Sequence, residues 1–107
     1  MKTAVNVIYR DLDASPALND IIMKRAEKLS RFHDQIHSSR VVLDAPHNHK
    51  SKGKQFRATI ELDIKGQPVA ISQDSESIHI AVREAFSTAE RKIKQLSEKQ
   101  RSLKLVH

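Results

Sequence analysis

Apolar residues fall on every second position at Val5, Val7 and Tyr9, which predicts a strand over residues 2–9. The period then changes. Ser15-Pro16 is a helix start: a serine oxygen can cap free amides, and proline at the first helical position gives up an N–H that has no partner there. Leu18, Ile21, Ile22, Ala26, Leu29 and Phe32 follow at helical spacing, predicting an amphipathic helix over 16–32. Residues 40–45 read as a short strand stopped by Pro46, and the polar, basic run 46–54 reads as a hairpin loop. Phe56, Ala58, Ile60, Leu62 and Ile64 alternate with polar partners, the clearest strand in the chain, with one face wet. Gly66-Gln67-Pro68 predicts a turn, with Val69 and Ile71 in a fourth strand. From about Ser77, Ile78, Ala81, Val82, Ala85, Phe86, Ala89, Ile93 and Leu96 trace one face of a helix reaching about residue 100. The order β-α-β-β-β-α predicts an α+β fold, a two-layer sandwich of a four-stranded sheet and two helices.

Composition narrows the class. With 107 residues the chain is one domain, read here as residues 1–100 with a short basic tail at 101–107. It has no cysteine, which removes disulfides, thiolate nucleophiles and cysteine-bound metals. No apolar run approaches the roughly 20 residues of a membrane span, and the first residues are too polar for a signal-peptide core. The expectation is a cytoplasmic protein with no membrane partner.

The net charge is +6, and its distribution carries more than its size. Lys50, Lys52, Lys54 and Arg57 stand in the hairpin region with no acid. Residues 83–107 hold seven cations against three acids, and the first helix holds Lys24, Arg25, Lys28 and Arg31 against Asp20 and Glu27. Residues 58–77, in contrast, sum to −3. A surface kept only for solubility would mix the signs more evenly. Lys24, Lys28 and Arg31 share one helical stripe, whereas Arg25 falls within the apolar stripe of Leu18, Ile22 and Leu29 and is expected to snorkel from the core edge or lie in the groove beside the second helix.

Catalytic and metal chemistry find little footing. His47-x-His49 offers two imidazoles, and His33 and His37 stand at i, i+4 spacing, read as the end of the first helix. Neither pair has a third ligand nearby, and the hairpin lysines oppose a cation; the expectation is no metal and no cofactor. No nucleophile elbow or glycine-rich phosphate loop is present, and no small-molecule substrate is implied. Phe32, Phe56 and Phe86 all fall on predicted buried faces, so stacking platforms for single-stranded bases are missing. An RNA partner would be held by Lys and Arg on phosphate, through shape rather than base identity. A basic module for an acidic protein is the reading from another class.

Several motifs in order resemble the ribosome hibernation promoting factor and ribosome-associated inhibitor A family, over about residues 3–100. They are Ser15-Pro16-Ala17-Leu18, Ile21-Ile22, Arg25 and Lys28-Leu29 with Phe32 and Ile36, then Val41-Val42-Leu43, and Ala81-Val82-Arg83-Glu84-Ala85-Phe86 leading to Arg91. The hairpin Pro46-His47-Asn48-His49 with Lys52-Gly53 resembles a divergent subgroup. The resemblance implies a sheet with both helices on one face. It also implies a monomeric, non-enzymatic translation inhibitor lodged in the mRNA and tRNA channel of the small ribosomal subunit, on its ribosomal RNA, under stress or in stationary phase. The alternative is a general binder of double-stranded or structured RNA. Family basic positions fall on Arg25, Lys28 and Arg91. Departures stand at Ser77, His79, Thr88 and Gln95. The expected RNA-binding set is Lys24, Arg25, Lys28, Arg31, Lys50, Lys52, Lys54, Arg91, Lys92, Lys94 and Lys99, with His47 and His49 as additional donors.

Overall fold

The computed structural model describes residues 4–33, 35–45, 56–64 and 66–106, the side chains of Ala4, Phe32 and 97–106 apart. The elements run β1 (Ala4–Arg10), α1 (Pro16–Phe32), β2 (Ile36–Asp44), β3 (Phe56–Ile64), β4 (Gln67–Ser75) and α2 (Ile78–Val106). The strands form one sheet in the order β1-β2-β3-β4. β1 and β2 are parallel, as a strand–helix–strand crossover requires, and the remaining pairs are antiparallel. The α+β, two-layer β-α-β-β-β-α architecture expected from the periodicities is the one observed.

Helix α1 begins as its sequence dictates. The Leu18 amide donates to Ser15 Oγ at 3.2 Å, and Pro16 occupies the first turn. The Tyr9 hydroxyl reaches from β1 to the Ser15 carbonyl (3.1 Å) and Asn19 Oδ1 (2.7 Å), fixing the helix start on the strand before it. At the other end the His33 amide donates to the Leu29 carbonyl at 3.1 Å, and the chain turns into β2. His37 therefore lies exposed on β2 and not on a helix with His33, as their i, i+4 spacing suggested.

Strand β2 starts four residues before the predicted Arg40. A register shift between Ile36 and Ser38 is the cause: this bulge returns Ile36 to the core side, where Ser39, Val41 and Leu43 also point. The β3–β4 turn falls earlier than predicted, with Gln67 and Pro68 already in β4. Gly66 takes φ +81°, which favours glycine, and its amide donates to Asp63 Oδ1 at 2.7 Å. Pro68 is tolerated because β4 is an edge strand.

The core lies on one side of the sheet. Leu18, Ile22, Ala26 and Leu29 of α1 meet Val41 and Leu43 of β2, while Ala81, Val82, Ala85, Phe86, Ala89 and Ile93 of α2 cover Ala58, Ile60, Leu62 and Ile71. Helix α1 packs over β1 and β2, and α2 over β3 and β4, so the two lie side by side with a groove between them. Helix α2 continues to Val106, past the residue 100 at which its apolar pattern fades. Among its described side chains, the last buried core residue is Ile93.

Candidate nucleic-acid interface

Burying one stripe of each helix forces its remaining positions outward, and this sets where the cations stand. Near the end of α1 and the middle of α2, Lys28 and Lys94 line opposite walls of an open cleft of about 420 Å³, with Leu29, His33 and Glu90. Both lysines are exposed. Two ammonium groups from separate elements against one carboxylate make the cleft cationic, and the stems of both lysines with Leu29 give it an apolar lining. Arg25, one turn before Lys28 or Leu29, is half-buried at the flank of the apolar stripe, as its wheel position predicts.

The other cations of α1 are partly neutralised. Lys24 Nζ lies 3.0 Å from Asp20 Oδ2, and Arg31 Nη2 lies 3.5 Å from Glu27 Oε1, both exposed i, i+4 pairs. On α2, Lys92 is exposed, and Arg91 lines a second depression of about 260 Å³ with Gln73, Arg83, Glu84, Ser87 and Thr88. There the Arg91 Nη2 donates to Thr88 Oγ1 at 3.4 Å, and the same oxygen accepts from Gln73 Nε2 at 3.2 Å. The structure thus brings Lys28 and Lys94 into one cleft and puts Arg91 in another. Lys50, Lys52, Lys54, His47 and His49 lie outside the described residues, as does the side chain of Lys99.

Arg57, counted with the hairpin cations on charge alone, is turned away from both clefts. It belongs to β3 and is held by Asp74 on the sheet face opposite the helices. Sequence reasoning did not single out Glu90, His33 or Arg83 as groove residues. The signal available for Arg83 was its spacing from Arg91, two intervals of four with Ser87 between. Among the described residues no group of three or more His, Asp or Glu is placed to hold a metal ion. No helix there is long and apolar enough to cross a membrane.

A one-sided mixed sheet with two helices and a cationic inter-helix groove defines a small α+β domain suited to a polyanion. Residues 5–101 match the family model described as sigma 54 modulation protein / S30EA ribosomal protein, and the chain belongs to that family. The family is one of ribosome-associated hibernation and modulation factors, which are not enzymes. The N-terminal domain of Protein Y from Thermus thermophilus superposes with a TM-score of 0.71 at 25% identity, over 90% of this chain and 99% of that one. A ribosomal subunit interface protein from Coxiella burnetii shares the fold, with a TM-score of 0.73 at 14% identity and the same coverages. No curated protein matches the sequence.

Proposed function

We propose that the chain acts in the cytoplasm as a monomeric translation inhibitor, occupying the mRNA and tRNA channel of the small ribosomal subunit in stressed or stationary-phase cells. The observation that carries this reading is the cleft in which Lys28 of α1 and Lys94 of α2 face each other. Two helices bearing convergent cations form a surface for crowded phosphates, and the family match supplies the ribosome as their source. The Coxiella protein that shares this fold is itself a ribosomal subunit interface protein.

Inhibition on this reading is steric. A domain seated in the channel occupies the space of message and tRNA, and no bond is made or broken. Association is driven by release of counterions from RNA, so it weakens steeply with salt. Arg25, Lys28, Lys92 and Lys94 make the contacts on the two helices, with Lys24 and Arg31 exchanging Asp20 and Glu27 for phosphate, and the hairpin cations and Lys99 extend the surface.

Sucrose-gradient sedimentation with purified ribosomal subunits tests the reading. The chain is expected in the small-subunit fraction at low salt and free at high salt. A chain that stays at the top of the gradient at low salt overturns it. Equal affinity for free duplex RNA would favour a general structured-RNA binder instead.

A further inference from the structure

The sheet edge at β1 is unguarded. Among the described residues β1 pairs only with β2, so the other side of its backbone is unpartnered. From Ala4 to Tyr9 it holds no charge and no proline, two of the devices that blunt an edge against pairing. The opposite edge has both, with Pro68 second in β4 and Asp74 near its end. Val5, Val7 and Tyr9 point to the core side, yet each is only half-buried.

Helix α1 continues this uncharged strip. Pro16, Asn19, Met23, Ala26 and Ser30 recur at alternating intervals of three and four, which is one stripe of a helix. The Tyr9 hydroxyl donates to Asn19 Oδ1 at 2.7 Å, so the stripe lies on the β1 flank of α1. The helix runs opposite to β1, because it carries the chain back between two parallel strands. Met23 is four helical residues past Asn19, about 6 Å, and Val7 is two strand residues before Tyr9, about 6.6 Å. Met23 therefore stands level with Val7, and it is 46% exposed.

We infer that two copies of the chain pair through β1, antiparallel about a two-fold axis at Val7, into one eight-stranded sheet. In this register Val5 faces the second copy's Tyr9, Asn6 faces Ile8, and Arg10 faces position 4, so no like charges meet. The helices fit as well. Because α1 packs over β1 and β2, the two α1 helices stand two strand spacings apart, about 9.6 Å, within the 8–10 Å of packed helices. The two Met23 side chains then close over the Val7 pair. A lone strand from another protein would cover the backbone edge but bring no helix to Met23. Each chain carries +6, so copies meet where charge is absent, and the cleft of Lys28 and Lys94 lies on the other flank of α1. The inference goes beyond the reading above: one copy fills the channel there, and the pair is the form of the free chain.

Sedimentation equilibrium of the full chain tests the pairing. The mass is expected to rise with concentration from 12.2 kDa toward twice that value. Added salt should strengthen the pair by screening the two positive chains, the opposite of its effect on RNA binding. A two-fold interface sets position 23 against itself, so Met23→Glu and Met23→Lys should each stay monomeric, while an equal mixture of the two should pair. Ile21→Glu, at an exposed site on the other flank of α1, should pair as wild type does. A wild-type chain at 12.2 kDa throughout overturns the inference and leaves the edge to a strand of another protein. Pairing by Met23→Glu alone, or a mixture no heavier than its components, overturns it equally. Lys28→Glu with Lys94→Glu should pair normally while losing the small subunit, so the two readings fail separately. Circular dichroism of each variant confirms that the fold is retained.

Discussion

Arg57 and Asp74 face each other across β3 and β4 in a two-point pair, Nε to Oδ1 at 2.7 Å and Nη2 to Oδ2 at 3.1 Å. The strand register extends this pair into a row: Arg10, Asp44, Arg57 and Asp74 stand abreast on β1, β2, β3 and β4. Signs alternate across all four strands, so the row cancels its own charge. Further along the same two central strands, Arg40 and Glu61 pair again at 3.8 Å. Among the described residues the sheet face away from the helices therefore offers phosphate little net attraction, and the uncompensated cations Lys28, Lys92 and Lys94 stand on the helices.

The row predicts an asymmetry between deletion and reversal. The Arg57 and Asp74 side chains are 37% and 27% exposed, so Arg57→Ala should cost only about 0.5–1 kcal/mol. Asp44→Arg places three cations abreast and should cost about 1–2 kcal/mol. Urea denaturation of the two variants checks the order. The Arg57 guanidinium is held above its ordinary value by its hydrogen bond to Asp74, then by the charge of Asp74, with Asp44 adding and burial opposing. A raised cation contributes fully below its unfolded value, itself far above neutrality, and is lost only above the folded one. Protonation of Arg57 should thus add no pH dependence to stability near neutrality.

The start of α1 predicts a coupled pair. Ser15→Ala removes the cap on the Leu18 amide and should cost about 1 kcal/mol. Tyr9→Phe removes the hydroxyl that meets the Ser15 carbonyl and Asn19, and should cost a similar amount, about 0.5–1.5 kcal/mol. Both variants loosen the same junction, so the double variant should lose less than the two separate losses combined. A double-mutant cycle by thermal or urea unfolding measures the difference.

Phe86 is 1% exposed, on the α2 stripe over the sheet. Phe86→Ala should cost about 3–5 kcal/mol, from lost burial and the cavity left behind. That is a large part of the total stability expected of a small domain, about 5–15 kcal/mol. A fall in urea midpoint with unchanged slope would show the loss in the folded state.

How much of this was legible in the sequence differs by element. Helix α1 was, because Ser15-Pro16 marks its start and Leu18, Ile22, Ala26 and Leu29 give it one buried stripe. Strand β3 was, because strict alternation has no helical reading. The first half of β2 was not. Its bulge breaks the period of two, so Ile36 and Ser39 both face inward at an odd spacing, and the polar His37-Ser38 between them looks like loop. Of the candidate site, helix faces were readable from spacing, but neighbours across helices were not. Nothing in the chain order says that Lys28 and Lys94 line one cleft or that Arg91 and Gln73 line another; those follow from how α1 and α2 settle on the sheet.

The cleft gives the sharpest functional expectation. Lys28 and Lys94 are exposed, so reversing both charges should leave unfolding within about 0.5 kcal/mol of wild type. Binding should respond differently. If each lysine neutralises one phosphate, the neutral double variant Lys28→Gln with Lys94→Gln should lower the salt slope by about 1.4–1.8. Lys28→Glu with Lys94→Glu adds repulsion and should abolish cosedimentation with small subunits, as should Arg25→Glu with Lys28→Glu. Glu90→Gln removes the carboxylate from the same cleft and should act in the opposite direction, tightening binding at moderate salt. Gradient sedimentation across a salt series reads all four variants, and a Glu90→Gln chain that binds more weakly than wild type would mean the carboxylate itself contacts the RNA.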